Sequence, residues 1–197
     1  MFSAVLFPLL CATQSLTIVP LGDVDPFLPG MLARGISARL VLAPEVVPTQ
    51  SLPESAFDRR RGQYLSPVIL DRLAGPVEGV DSVRTCRLAV TEADLFAPGQ
   101  SFVFGQADAR TRVAVISLLR LREEYYGRRT NPRRFQDRAL TEAVHELGHT
   151  LGMPHCPNPG CVMHASASLA GTDRKSARFC AECRKRLPRG TRRGPRS

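Results

Sequence analysis

The stretch His145-Glu146-Leu147-Gly148-His149-Thr150-Leu151-Gly152-Met153-Pro154-His155 carries three of the four histidines in a chain of 197 residues. Upstream of it, Phe135, Ala139, Ala143 and Leu147 recur every four residues, with Leu140 and Val144 alongside. That spacing predicts a helix with a buried stripe, opened by Asn131-Pro132 and running to about Thr150. His145 and His149, four apart, share a face of such a helix, so both imidazoles can reach one zinc ion. Glu146 projects beside the metal, where it can take a proton from an attacking water and pass it to a leaving group. Helical geometry would carry His155 away from that point. Gly152 can adopt the positive φ that ends the helix and turns the chain back. His155 then completes three nitrogen ligands and leaves one coordination position open. A helix of ordinary core histidines would leave both this spacing and the glycine without a reason.

Working outward, four of the six cysteines follow at once: Cys156, Cys161, Cys180 and Cys183, in the patterns C-x4-C and C-x2-C. Cys11 and Cys86 are isolated. A secreted disulfide framework would spread its cysteines along the chain, whereas clustering beside histidines reads as metal binding in a reducing compartment. Four thiolates make a closed tetrahedral zinc site that serves structure and supplies folding energy to a lobe with little core. Two disulfides are the alternative. Cofactors are therefore expected to be two zinc ions per chain, one catalytic and one structural.

The rest of the chain sets limits. Hydrophobic residues make up 43%, enough for a sizeable core, with no Trp and only 6% aromatics. The net charge of +9 falls to +2 once the seven basic groups of residues 184–197 are set aside, so basicity belongs to the C-terminal tail. That makes nucleic acid an unlikely partner for the domain itself. Residues 1–12 are apolar but have no basic residue before them, contain Pro8, and are too short for a membrane span. An extension ahead of the fold, an extra strand and a leader all remain open for them, with the cytoplasm as the favoured address. Strands are expected at Leu16–Val19, Ala38–Leu42, Val83–Val90, Phe102–Phe104 and, most strongly, Arg112–Leu119. Helices are expected at Phe27–Ala33 and from an N-cap at Ser66-Pro67 to Leu73. Residues 44–62 read as a loop. Strands alternating with helices, then irregular chain, indicate one α/β domain with a metal-stapled C-terminal part.

The extended motif H-E-x-x-H-x-x-G-x-x-H-C, then C-x-M and C-x-x-C, resembles the archaemetzincins, a family of metzincin zinc proteases. Residues 61–64, 102–107 and 115–121 also resemble stretches expected of that family, and the similarity runs from about Leu16 to Leu187. Residues 1–15 then stand as an extension, 16–187 as the catalytic domain and 188–197 as a disordered basic tail. The resemblance implies a twisted mixed sheet with helices, a cleft across the zinc and a peptide substrate. It also implies hydrolysis by activated water with Glu146 as base, and leans towards an aminopeptidase. It places Met163 in the methionine turn beneath the zinc ligands, as a packing floor. By analogy, Arg112–Leu119 would be the strand along which a peptide lies; the residues themselves fit a buried central strand equally well. The tyrosine that some metzincins carry shortly after the methionine has no counterpart between Ala165 and Ala170. The competing reading is a zinc-stabilised binding module for nucleic acid or a protein partner. His164 has no assigned role, and a monomer is favoured.

Overall fold

The computed structural model describes residues 14–75 and 85–192. Along the chain come β1 (Gln14–Leu21), α1 (Phe27–Ser37), β2 (Leu42–Val46), β3 (Phe57–Asp58), β4 (Gln63–Leu65) and α2 (Ser66–Ala74). There follow β5 (Thr85–Thr91), β6 (Leu95–Phe96), β7 (Gly105–Asp108), β8 (Val113–Ser117), α3 (Pro132–Thr150), α4 (Leu169–Arg174) and α5 (Ala181–Arg186). Five strands make a mixed sheet in the order β2-β1-β5-β8-β7, parallel throughout except for β7, which runs antiparallel to β8. A smaller sheet joins β3, β4 and β6. The architecture is the single mixed α/β domain expected.

Both faces of the main sheet are covered, and the alternation of side chains along each strand assigns them. Leu16, Ile18, Leu88, Val90, Ala114 and Ile116 join the core shared with α1 and α3, through Leu32, Ile36, Ala143 and Leu147. Val19, Leu21, Ala89, Val113 and Val115 form a second core with Ile69, Leu70 and Leu73 of α2. All seven residues of β5 are consequently buried.

Several boundaries differ from expectation, each for a physical reason. The second strand is not Ala38–Leu42 but β2, which takes in Pro44. It lies at the sheet's edge, where a missing amide costs no ladder bond. The run 44–62 is correspondingly not all loop. Phe102–Phe104 forms no strand beyond a bridge from Val103 to Leu95, and pairing with β8 begins at Gly105 instead. Ser66 is inside α2 rather than capping it, because its hydroxyl donates to the Phe96 carbonyl at 2.8 Å and bonds the Gln106 side chain at 2.6 Å.

The long helix α3 begins where the sequence placed it, with the Asn131 side chain accepting from the Arg134 amide at 3.0 Å and Pro132 in the first turn. From Arg138 onward it is almost wholly buried. Arg138, 2% exposed, is held there by Asp173 at 2.6 Å, Glu123 at 2.9 Å and the Leu121 carbonyl at 2.9 Å. At the far end of the chain, Thr191 is buried and its carbonyl accepts from the Val41 amide at 3.0 Å. Residues 1–13 of the expected extension, with Cys11, and residues 193–197 of the expected tail lie outside the described residues.

Candidate active site and metal centres

The last two turns of α3 carry His145, Glu146 and His149 into a cleft of about 990 Å3. The helix ends in a Schellman turn: the Met153 amide donates to the Gly148 carbonyl at 3.0 Å and the Gly152 amide to the His149 carbonyl at 2.9 Å. Gly152 sits at φ +81°, the left-handed conformation its role requires. The chain thereby reverses and brings His155 back beside the other two rings. Ring centroids of the three imidazoles are 4.7, 4.8 and 5.4 Å apart, and their ligand-capable nitrogens lie within 4.8 Å of one another.

Backbone carbonyls decide how these rings present themselves. His145 Nδ1–H donates to the Val162 carbonyl at 2.7 Å, and His149 Nδ1–H to the Met153 carbonyl at 2.8 Å. With Nδ1 protonated, each Nε2 keeps its lone pair. The two Nε2 atoms nevertheless face each other at 3.2 Å. Two lone pairs so close repel unless a cation lies between them. Tetrahedral Zn–N bonds of about 2.0–2.1 Å would set ligand nitrogens roughly 3.3 Å apart, so the donor set fits zinc. Burial, then the nearby Lys175 charge, holds the His145 pKa down to about 3, which keeps the ring neutral. Burial also lowers the pKa of His149 and of His155.

Glu146 is 5% exposed, and burial pushes its carboxyl up to about 8, with the Glu142 carboxylate adding to the rise. It lies flat against β7: a Cβ at Gly105 would stand 2.7 Å from Glu146 Cγ and 2.8 Å from its Oε1. Met163 is fully buried, its sulfur packed under Gly148 with no room for a Cβ between them. His164, half-buried, donates from Nδ1 to the Cys156 carbonyl at 2.9 Å.

The edge of the sheet corrects one expectation. β8 is paired on both sides and all of its residues are buried, so Arg112–Leu119 offers no free edge to a peptide. The terminal strand is β7, and residues Gly105, Gln106 and Ala107 line the cleft.

The four clustered cysteines also converge. Their sulfurs lie within 4.8 Å of one another, Cys156 and Cys180 at 3.9 Å, and all four are free thiols. No disulfide joins them. Zn–S bonds of about 2.3 Å in a tetrahedron would space sulfurs roughly 3.8 Å apart, so this set fits zinc as well. The Cys183 amide donates to the Cys180 sulfur at 3.5 Å, and that bond is the main reason the Cys180 thiol is drawn down to about 7, towards the thiolate a metal needs. Burial pushes the Cys183 thiol up.

Sequence reading missed one part of the site. Glu142 lines the cleft one helical turn before Glu146, and Lys175 pairs with it at 3.1 Å. The available signals were the i, i+4 spacing of the two glutamates and a lysine in a chain whose cations are otherwise almost all arginine.

A model of peptidase family M54 matches residues 32–189. The archaemetzincin of Methanopyrus kandleri is 45% identical over 143 residues, covering 73% of this chain and 76% of that protein. The archaemetzincin of Methanocaldococcus jannaschii is 39% identical over 170 residues, covering 86% of this chain and 90% of that protein. Among solved structures, a zinc-dependent peptidase from Methanocorpusculum labreanum superposes with a TM-score of 0.80 at 30% identity, over 88% of this chain and 100% of that one. The crystal structure of the Methanopyrus kandleri archaemetzincin gives 0.75 at 37% identity, over 90% of this chain and 94% of that one.

Proposed function

The chain belongs to peptidase family M54, the archaemetzincins, and is a zinc metallopeptidase; from that premise we propose that His145, His149 and His155 hold its catalytic zinc and that Glu146 is the general base. Cys156, Cys161, Cys180 and Cys183 would hold a second zinc, in a structural role. The convergence of three imidazoles beside Glu146, against the edge of β7, carries this reading.

What zinc supplies when bound by three imidazoles is Lewis acidity towards water and the scissile carbonyl. The chain supplies the rest. An extended peptide adds to the free edge of β7, so backbone hydrogen bonds hold the substrate and side chains contribute little discrimination. Glu146, packed on that same strand, takes the proton of the attacking water and returns it to the departing amine. Its near-complete burial excludes bulk water that would compete for the proton. Met163 under Gly148 supports the floor on which His145 and His149 stand.

Aminopeptidase action is the finer form of this proposal. It requires an anion to seat the substrate's α-ammonium, and among the described residues the cleft offers Glu142, whose Oε1 already meets Lys175 and Thr172. Comparing free and N-acetylated peptides decides between exo- and endopeptidase action. Among the described residues no helix is long and apolar enough to cross a membrane. The free thiols suit a reducing compartment, and the cytoplasm is the proposed address.

The decisive test combines metal content with activity. Wild type should carry about two zinc ions and His149→Ala about one. Glu146→Gln should keep both and lose about 10²–10⁴-fold in peptide hydrolysis. A Glu146→Gln protein that still cleaves at the wild-type rate would remove Glu146 from the mechanism.

A further inference from the structure

Three consecutive carbonyls beneath the histidines are each held by a different partner. That of Val162 accepts from His145 Nδ1–H at 2.7 Å, that of Met163 from the Cys156 amide at 2.9 Å, and that of His164 from the Lys175 ammonium at 3.2 Å. The first bond orients a proposed zinc ligand, and the second grips the residue next to another. The third comes from a side chain with 0% exposure. Lys175 and Lys185 are the only lysines among 27 basic residues.

The Lys175 ammonium has a second partner, Glu142 Oε1 at 3.1 Å. The Thr172 hydroxyl donates to the same oxygen at 3.1 Å and bonds the Ser166 hydroxyl at 3.1 Å. One cation thus ties the turn under the histidines to α3, one helical turn before Glu146. The compact ammonium, with three rotatable donors, meets both acceptors from within a fully buried space. Stability alone does not account for the pair, because a buried ion pair is commonly no better than an apolar replacement of the same shape.

We propose that Lys175 is a positioning residue: by anchoring the His164 carbonyl to Glu142 it fixes the Val162–His164 turn, and through the Val162 carbonyl it holds the His145 ring with Nε2 turned to the metal. The inference rests on His145 being a zinc ligand. Partners that orient metal-binding histidines typically contribute about 10–100-fold to metal affinity.

Lys175→Met alone would strand a buried carboxylate and fold poorly. The informative protein is the full chain with Glu142→Gln and Lys175→Met together, which removes both charges and leaves the local net charge unchanged. Two quantities are read. Zinc affinity of the histidine site, by chelator competition, should fall about 10–100-fold, with the cysteine site as an unchanged internal control. In protein freed of zinc at the histidines alone, with the cysteine site still loaded, solvent exchange of the His145 Nδ1 proton, followed by NMR, should accelerate about tenfold as its bond to Val162 loosens. Wild-type affinity together with wild-type exchange in the double variant would reduce Lys175 to charge balance and overturn the inference. If wild type itself holds no zinc at the histidines, the site reading fails. The exchange rate still decides, independently of metal, whether Lys175 holds the ring.

Discussion

Replacing Gly105 with alanine puts a methyl group where Glu146 now lies. The new Cβ would stand 2.7 Å from Glu146 Cγ, 2.8 Å from its Oε1 and 2.9 Å from the Val115 carbonyl oxygen. Carbons in unstrained contact keep about 3.5–4.0 Å apart, so something must retreat by roughly 0.8 Å. Val115 belongs to β8, which is paired on both sides, and its backbone has nowhere to go. Glu146 therefore moves. Displacing a reacting group by about 1 Å costs on the order of 10²-fold in rate, while overpacking costs about 1–3 kcal/mol of stability. For a chain of this size each 1 kcal/mol lowers Tm by about 2–4 °C. The assay is kcat on an internally quenched peptide, beside zinc content and a melting curve. The expected result is kcat down by about two orders of magnitude, with both zinc ions retained and a modestly lower Tm. A variant with wild-type kcat would show that Glu146 does not act from its seat on β7.

Two further outcomes follow from other parts of the molecule. Cys180→Ser should release one zinc ion and make the segment from His155 to Leu187 sensitive to proteolysis, since the thiolates are its main staple; limited digestion with mass spectrometry reads this directly. For Glu123, burial would raise its carboxyl, but hydrogen bonds from Arg134, Arg128 and Arg138 outweigh it, and its pKa falls below the usual 4.5. A carboxyl depressed in the fold contributes stability above its unfolded pKa and loses it as pH falls through the folded value. Thermal melts below pH 4.5 should therefore decline less steeply for Glu123→Gln than for wild type.

The histidine-bearing helix α3 was legible because its signals are local. A cap, a first-turn proline, a four-residue stripe and a closing glycine all fall within residues 131–152. That β8 is a strand was legible too, from the apolar run Val113–Ile116, with burial one of the two readings it allowed. Which strand forms the edge was not, since β7 is Gly-Gln-Ala-Asp, half-buried throughout, and has no apolar signature. The phenylalanines before it imitate a strand, yet they serve as packing beside the cleft. Ser66 misled for a related reason: its hydroxyl answers to Gln106, forty residues away. The Glu142–Lys175 pair joins residues whose proximity only the completed fold creates.

The strand order sets when this enzyme can exist at all during its own synthesis. β1 lies between β2 and β5, and β5 in turn waits for β8, so the central ladder cannot close before Ser117 has left the ribosome. At about 5–20 residues per second, that leaves several seconds in which half a sheet carries an unpaired parallel edge. Parallel pairings between distant segments form slowly and expose the growing chain to association. The histidines come later still, on a helix that has no hydrophobic bed until the sheet beneath it is whole. A nascent chain is thus a poor scavenger of metal and an inert protease, and it becomes competent only as its last third docks.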